Sequence, residues 1–116
     1  MPDDRSAASY VYALVRQDLP LAAQLVQAAH ACLEAGSRYP LSSENPNIVL
    51  LAIPNEKHLH IFLGRLDAAG IRYVLFHEPD DCLGDTAACT EPLTADHRGT
   101  FQRVPLWHAP AQITKT

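Results

Sequence analysis

Apolar runs of strand length alternate with stretches of helical periodicity along the first two thirds of the chain. Runs rich in β-branched and aromatic residues occupy 10–15, 47–53 and 71–77, and each is typical of a strand that is covered on both faces. Between these runs, 20–35 and 56–69 repeat apolar residues at helical spacing and predict two helices. This alternation favours right-handed crossovers over a parallel sheet.

The first predicted helix carries a start signal, an end signal and one apolar stripe. Asp18 precedes Pro20, which suits a first helical turn, and the Asp18 carboxylate can accept the free amides of that turn. Gly36 supplies the left-handed residue that ends many helices. Gln27 and His30 are neighbours beside the stripe, because they are three residues apart. The stripe itself consists of Ala22, Leu25, Val26, Ala29, Cys32 and Leu33.

The second predicted helix has one apolar and one polar face. Asn55 can cap its first turn, and Gly70 closes it. The residues expected to point inward are Leu59, Phe62, Leu63, Leu66 and Ala69. The residues expected to face water are Glu56, Lys57, His58, His60 and Asp67.

The pattern changes after the third strand. An acidic turn with proline and glycine covers 78–85, and 86–90 predicts a short fourth strand. Because the connection is so brief, this strand is expected to pair antiparallel or to lie at an edge. A short helix with Thr94 as its cap is expected over 94–101, and 103–107 predicts a last extended piece.

Together these elements predict one α/β domain over 10–107, with a flexible leader at 1–9 and a tail at 108–116. The expected fold is a four-stranded, mostly parallel mixed sheet in the order β-α-β-α-β-β, flanked by helices. A chain of 116 residues is long enough to bury a core without disulfides or metals.

Composition and charge narrow the function classes. The net charge is −4 and the 9 Lys and Arg residues are scattered, which counts against simple nucleic-acid binding, although an acidic protein can still act on RNA. The 3 cysteines show no metal-ligand spacing, which is typical of a reduced compartment. Neither a signal peptide nor a transmembrane run is recognisable, so a cytoplasmic protein with no membrane partner is expected.

Two motifs near the start of the chain carry a resemblance to a known family. Arg16-Gln17-Asp18-Leu19 follows the first strand, and Gln27-Ala28-Ala29-His30-Ala31 lies on the first helix. In order, strand context and helix position, these motifs resemble the start of the type 2, archaeal-type peptidyl-tRNA hydrolases. Members of that family open with an Arg-x-Asp-Leu turn and a helix that bears Ala-Gln-x-x-His-Ala.

A second, looser match follows the third strand. Thr86 and Pro92 keep the spacing of the family's Thr-Val-Leu-Ala-Ile-Gly-Pro strand. Glu78 takes the place of the family's aspartate, and His77 takes the place of its arginine. The two matches together span residues 10 to 92.

One departure from the family lies at the start of the first helix. The family carries Gly-Lys residues there, and one such lysine is assigned to its active site, whereas this chain has Pro20-Leu21-Ala22-Ala23. The chain therefore resembles a divergent, bacterial or phage-like member. If it is active, Arg16 or Arg72 is expected to replace the lysine.

The resemblance implies hydrolysis of the ester between a peptide, or an N-blocked amino acid, and the terminal ribose of tRNA. Such a reaction has to activate water and stabilise an oxyanion. Glu78 or Asp80 is expected to accept the water proton, and the Thr86 hydroxyl with backbone amides is expected to donate to the carbonyl oxygen. The catalytic residues expected are Glu78, Asp80, Thr86 and His30. The substrate-binding residues expected are Arg16, Asp18 and Gln27.

Strand direction predicts where these residues meet. Ligands of open α/β sheets bind at the carboxyl ends of parallel strands, so the turns at 16–18 and 78–80 are expected at one edge. His30 lies about 15 Å along the helix from its start, at 1.5 Å per residue. His30 and Asp18 are therefore expected to hold different parts of a long substrate.

The resemblance implies that the partner is tRNA or peptidyl-tRNA and that the protein forms a homodimer. It implies no cofactor.

The acidic turn at 78–85 is either a solvated loop or a cation site, but it lacks the residue order of a calcium loop, and no metal is predicted. His77, His97 and His108 are not assigned as zinc ligands. The alternative function is a non-catalytic binding or assembly module that retains the hydrolase fold.

Overall fold

The computed structural model describes residues 9–41 and 46–109. The strands and helices are β1 (Tyr10–Arg16), α1 (Leu21–Arg38), β2 (Asn47–Ile53), α2 (Glu56–Ala68), β3 (Tyr73–Glu78), β4 (Gly84–Thr90) and the short α3 (Arg98–Phe101). Two 3₁₀ turns lie at Asp80–Cys82 and Ala95–His97. The predicted leader at 1–9 and tail at 108–116 lie almost entirely outside the described residues.

The four strands form one mixed sheet in the order β2-β1-β4-β3. β1 pairs in parallel with β2, whereas β4 pairs antiparallel with both β1 and β3. The predicted α/β domain with a four-stranded mixed sheet is confirmed. The sheet was expected to be mostly parallel, but only one of its neighbouring strand pairs is parallel. The reason is that β4 inserts between β1 and β3 with the opposite direction. β1, β2 and β3 therefore still point the same way.

β4 is not an edge strand. Its antiparallel pairing is confirmed, but it lies in the middle of the sheet, and its last five residues, 86–90, are buried. A short connection from β3 fixes the antiparallel direction, and the further pairing with β1 buries the strand on both sides.

α2 covers one face of the sheet as its pattern predicts. Asn55 caps it by accepting the backbone amide of His58 at 3.0 Å, and Gly70 follows the helix with a φ of 73°. The buried residues of α2 pack on Leu14 and other apolar residues of β1 and β2. They are Leu59, Phe62, Leu63 and Leu66, whereas Ala69 is exposed at the end of the helix.

α1 covers the other face, but its apolar stripe does not face the sheet. Leu25, Val26 and Leu33 are exposed to 50%, 51% and 74%. The buried residues are Gln24, Gln27, Ala28, Ala31 and Ala35. The alanines let the helix lie close to the sheet, and the glutamines satisfy their buried amides with hydrogen bonds. Gln24, for example, donates to the carbonyl of Leu19 at 2.8 Å and accepts the indole N–H of Trp107 at 2.7 Å.

The predicted C-terminal end of α1 and its predicted side-chain cap are wrong, whereas its start lies within one residue of the prediction. The helix continues past Gly36 to Arg38, and it begins after Pro20 with no side-chain cap. Asp18 does not cap the helix, because its carboxylate forms an ion pair with Arg16 instead. Two charge-assisted hydrogen bonds to a guanidinium are stronger than a bond to one free amide.

The segment after β4 consists of short elements that pack against the core. Thr94 makes no side-chain cap, and a 3₁₀ turn precedes α3 in place of one continuous helix. The predicted extended piece at 103–107 is confirmed only around Leu106, which forms an antiparallel bridge with Leu51 at the outer edge of β2, whereas residues 103 and 104 lie in a turn. Within the described part of the chain, no helix has the length and apolar character needed to cross a membrane.

Candidate functional site

Arg16 joins the ends of two strands at one edge of the sheet. Because β1 and β3 point the same way, their carboxyl ends share this edge, which we call the rim and define by 16–18 and 78–85. Arg16 Nη1 donates to the carbonyl oxygens of Leu83 at 2.6 Å and Asp85 at 3.1 Å. These bonds confirm that the turns after β1 and β3 meet, as strand direction predicts.

The same guanidinium holds Asp18. Arg16 Nε and Nη2 donate to the two carboxylate oxygens of Asp18, each at 2.9 Å. The hydrogen bond from Arg16 holds the pKa of Asp18 below its ordinary value, and the positive charge of Arg16 acts in the same direction. The Arg16 side chain is only 11% exposed, whereas that of Asp18 is 41% exposed. Asp18 therefore remains accessible from solvent while Arg16 is fixed beneath it.

Gln27 connects Glu78 of the rim to Thr86, which directly follows the rim, on the α1 face of the sheet. Its Nε2 donates to Glu78 Oε1 at 3.0 Å, and its Oε1 accepts the hydroxyl of Thr86 at 2.5 Å. An ionised carboxylate only accepts hydrogen bonds, so the Gln27 amide group must turn its NH₂ toward Glu78 and its oxygen toward Thr86. Gln27 is 3% exposed and Thr86 is fully buried. We call Gln27, Glu78 and Thr86 the amide cluster.

A β-bulge places Thr86 in the amide cluster. Phe76 pairs with Ala87 and His77 pairs with Asp85, so the intervening Thr86 has no partner on β3. A bulge of this kind bends the strand and changes the direction of the extra side chain. Thr86 consequently reaches Gln27 on the α1 face, where the next residue, Ala87, also packs, although successive residues of a regular strand alternate between the faces.

His30 and Asp80 lie at the border of the amide cluster. The His30 imidazole stacks on the ring of Phe76, with centroids 4.7 Å apart and an angle of 1° between the planes. His30 is exposed, as is Asp80, whose backbone amide lies 3.5 Å from Glu78 Oε2. The structure thus brings His30 to the same side of the rim as Glu78, through an aromatic contact.

Arg72 does not lie at the rim. It precedes β3, and its backbone amide and guanidinium donate to Glu91 just after β4, at the opposite end of the sheet. Arg16 and Arg72 therefore lie at opposite ends of the sheet. Of these two arginines, only Arg16 lies at the rim.

The turn that follows Glu78 has an unusual backbone. Asp81 and Cys82 are consecutive non-glycine residues, each with a φ of 55°. Such residues cost about 1–3 kcal/mol each and cluster at functional sites. Mixed right- and left-handed residues in a turn present backbone N–H groups that suit an anion.

A second polar cluster surrounds Asp85 on the α2 face of the rim. Asp85 Oδ2 lies 2.7 Å from His60 Nε2, and Oδ1 lies 2.9 Å from His77 Nδ1. The backbone amide of Asp85 donates to Glu56 Oε2 at 2.8 Å. Burial alone would raise the pKa of Asp85, but the hydrogen bonds and charges of His60 and His77 outweigh burial and lower it. We call Glu56, His60, His77 and Asp85 the histidine–carboxylate cluster.

Sequence reasoning missed this second cluster. Glu56 and His60 were expected to face water, and Asp85 was expected to belong to the acidic turn. One signal was present, because Glu56 and His60 are four residues apart on a helix that begins just after the carboxyl end of β2. The pairing of His77 with Asp85 depends on the bulge and has no signature in the local pattern.

Comparisons with known proteins define the fold and leave the activity open. No protein-family model matches this chain, and no curated protein matches it in sequence. Among solved structures, it is similar to a protein of unknown function from Agrobacterium tumefaciens strain C58, with a TM-score of 0.65 and 14% sequence identity. That similarity covers 87% of this chain and 98% of the Agrobacterium chain. At this level of identity, the likeness shows a shared fold.

Proposed function

We propose that this protein is a peptidyl-tRNA hydrolase-like enzyme of the cytoplasm. It hydrolyses the ester between a peptide, or an N-blocked amino acid, and the terminal ribose of tRNA. One observation supports this proposal most strongly. The two motifs that resemble the type 2 family are separated in sequence, yet Gln27 of the first donates directly to Glu78 of the second.

Glu78 is the proposed general base. Gln27 holds Oε1, and the carboxylate is only half-buried, so a water molecule can approach it from solvent. Glu78 takes a proton from that water as the water oxygen bonds to the ester carbonyl carbon. The carbon–oxygen bond to the ribose then breaks, and the proton passes to the departing ribose oxygen. Asp80, which is exposed two residues further on, is the alternative base.

Thr86 and Gln27 are positioning residues in this proposal. The Thr86 hydroxyl is fully buried and donates to Gln27, so we assign it to the orientation of the Gln27 amide rather than to the carbonyl oxygen of the substrate. The oxyanion contact is assigned instead to the backbone amides of Asp81 and Cys82, the two residues of the turn that have positive φ. His30 offers an exposed imidazole beside Glu78 for another part of a long substrate.

Arg16 and Asp18 complete the proposed substrate-binding edge. Arg16 already donates to Asp18 and to two backbone carbonyls, so it acts here by fixing the turn and placing the accessible Asp18 carboxylate. Because the net charge is −4, contacts to tRNA phosphates contribute little, and the proposed enzyme recognises mainly the acylated end of the tRNA.

The test is release of free tRNA from purified N-acetyl-aminoacyl-tRNA. The informative variants are Glu78→Gln and Asp80→Asn, which remove a base while keeping size. The matched control is Glu34→Gln on α1, because among the described residues Glu34 pairs with Arg38 alone, at the helix surface. Turnover by the wild-type chain that is lost in Glu78→Gln and kept in Glu34→Gln would support the proposal. A wild-type rate equal to that of the double variant Glu78→Gln, Asp80→Asn would defeat it.

The exposed stripe of α1 favours a second candidate, a non-catalytic assembly module that forms a homodimer. Leu25, Val26 and Leu33 are at least half exposed, and Leu21 on the same helix is exposed to 44%. Contiguous apolar surface of this kind is typical of a protein interface, and two copies related by a twofold axis would cover it. This candidate predicts a dimer in sedimentation that Leu33→Glu separates into monomers, with no cleavage of the tRNA ester.

A further inference from the structure

We propose that the histidine–carboxylate cluster binds one divalent transition-metal ion, with Zn²⁺ as the best-fitting ion. One ligand atom from each of Glu56, His60 and Asp85 lies within 4.8 Å of the other two. These residues come from two elements that meet at the rim, α2 and β4. The proposal goes beyond the hydrolase reaction, because the cluster lies on the opposite face of the sheet from Gln27 and Glu78.

The backbone around the cluster brings the two carboxylates together. The Asp85 amide donates to Glu56 Oε2 at 2.8 Å, which holds the Glu56 carboxylate against the start of β4. Gly84 leaves the space that this approach needs, since a Cβ atom at that position would lie 2.5 Å from Glu56 Oε2. Gly84 also has a φ of +75°, so a side chain there would be strained as well as crowded.

The two histidines have different roles in the proposed site. His60 Nε2 lies 2.7 Å from Asp85 Oδ2, on the side of Asp85 where Glu56 also lies, and it is a direct ligand. His77 Nδ1 lies 2.9 Å from the other oxygen, Oδ1, and it orients the Asp85 carboxylate from behind. Metal-binding carboxylates are commonly held by such outer hydrogen bonds.

The distances need only a small adjustment to admit an ion. Zn²⁺ binds imidazole nitrogen and carboxylate oxygen at about 2.0–2.2 Å, so neighbouring ligand atoms of a tetrahedral site lie about 3.4 Å apart. The His60 side chain is 50% exposed and can turn away from Asp85 as the ion enters between them. Its imidazole then carries its proton on Nδ1 and gives the Nε2 lone pair to the metal.

The chemistry of the ligand set selects the class of ion. Mg²⁺ and Ca²⁺ prefer sites made of oxygen atoms, whereas an imidazole nitrogen together with carboxylates suits Zn²⁺ and its neighbours in the first transition row. Three protein ligands leave a further coordination position for water or for a bound molecule. The two carboxylates also balance the charge of a divalent ion.

The proposal is tested by titrating the tag-free protein with Zn²⁺ against a chromophoric chelator, and by recording the visible spectrum of the Co²⁺-loaded protein. We expect one ion per chain. His60→Gln and Asp85→Asn should abolish this binding, and His77→Gln should weaken it by about 10- to 100-fold. The matched control is His58→Gln, which removes the 2.9 Å contact of the His58 ring with Asn55 Oδ1 but keeps the backbone amide that Asn55 accepts as the helix cap.

Several outcomes would overturn the proposal. They are the absence of stoichiometric binding in the wild-type protein, equal affinity in wild type and His60→Gln, or a larger loss in His58→Gln than in His60→Gln. Circular dichroism establishes that each variant is folded, and Glu56→Gln replaces Asp85→Asn if the latter does not fold. The titration needs no tRNA, so its result is independent of the hydrolysis assay.

Discussion

The side-chain amide of Gln27 donates to the carboxylate of Glu78 at 3.0 Å, across 51 positions of the sequence. This bond joins the helix that covers one face of the sheet to the end of β3. On its other side, the same amide accepts the buried hydroxyl of Thr86. The amide cluster therefore contributes to the packing of α1 and also fixes the position of Glu78.

Replacing Gln27 should lower stability. In Gln27→Leu, the Thr86 hydroxyl loses its short hydrogen bond inside the core, and we expect the free energy of unfolding to fall by about 1–3 kcal/mol. Urea denaturation measures this change. The matched control is Gln102→Leu, an exposed glutamine that should change stability by less than about 0.5 kcal/mol.

The pair can also be tested by a double-mutant cycle. Gln27→Leu combined with Thr86→Val removes both partners, so the double variant should lose less stability than the sum of the two single variants. Strict additivity of the two losses would show that the residues are not coupled.

The orientation of α1 can be tested with two alanines that are two residues apart. Ala31 is buried against the sheet, whereas Ala29 is exposed. Enlarging a buried alanine crowds the core, so Ala31→Leu should destabilise the fold by about 1–3 kcal/mol. Ala29→Leu should stay within about 0.5 kcal/mol of the wild type. Thermal denaturation of both variants decides the question, and the reverse order of effects would place the apolar stripe against the sheet.

The helix α1 also shows where a periodic pattern is insufficient. Hydrophobicity alone marks Leu25, Val26 and Leu33 as the stripe, yet the buried face consists of alanines and glutamines. Small residues are favoured on that face because the helix lies close to the sheet. The buried glutamines find hydrogen-bond partners such as Trp107 and Thr86 only in the tertiary structure. The pattern of α2 succeeds because its large apolar residues are the ones that pack on the apolar residues of β1 and β2.

The sequence likewise predicts some features of the candidate site and misses others. Parallel crossovers from β1 and β2, with β3 in the same direction, were sufficient to predict that 16–18 and 78–80 share an edge. The insertion of β4 between β1 and β3 was not predicted, because a short connection specifies strand direction but not the second neighbour. The bulge at Thr86 was also missed, since an extra residue in a strand leaves the alternation of neighbouring positions ambiguous.

The ion pair of Arg16 and Asp18 predicts a specific dependence of stability on pH. Arg16 lowers the pKa of Asp18 below its ordinary value of 3.8 in the folded protein. The pair therefore stabilises the fold above that value, and this contribution is lost as the pH falls through the lowered pKa. Because Asp18 is 41% exposed, solvent screening limits the contribution to less than about 1 kcal/mol.

The measurement is the difference in unfolding free energy between wild type and Asp18→Asn across the acid range. The difference should be present near neutral pH and should disappear at pH values below the lowered pKa. A difference that stays constant throughout the acid range would be inconsistent with the ion pair.

Cys32 should be more reactive toward alkylation than an ordinary thiol. The neighbouring Cys89 thiol lowers the pKa of Cys32 to about 7, and the same pairing raises the pKa of Cys89. The rate of Cys32 modification by iodoacetamide should therefore reach half its maximum near pH 7, and Cys89→Ala should shift this midpoint upward. Trypsin places Cys32 on a separate peptide between Arg16 and Arg38, which mass spectrometry can quantify. An unchanged midpoint in Cys89→Ala would contradict this influence of Cys89 on the pKa of Cys32.

Single-turnover hydrolysis of N-acetyl-aminoacyl-tRNA tests most directly whether the amide cluster is catalytic. Loss of a positioned general base commonly lowers a rate by about 100- to 10,000-fold, and we predict a loss in that range for Glu78→Gln. Glu34→Gln should retain the wild-type rate, and Gln27→Leu should lie between the two, because Gln27 orients Glu78 without touching the water. A wild-type rate no higher than that of Glu78→Gln would contradict the account.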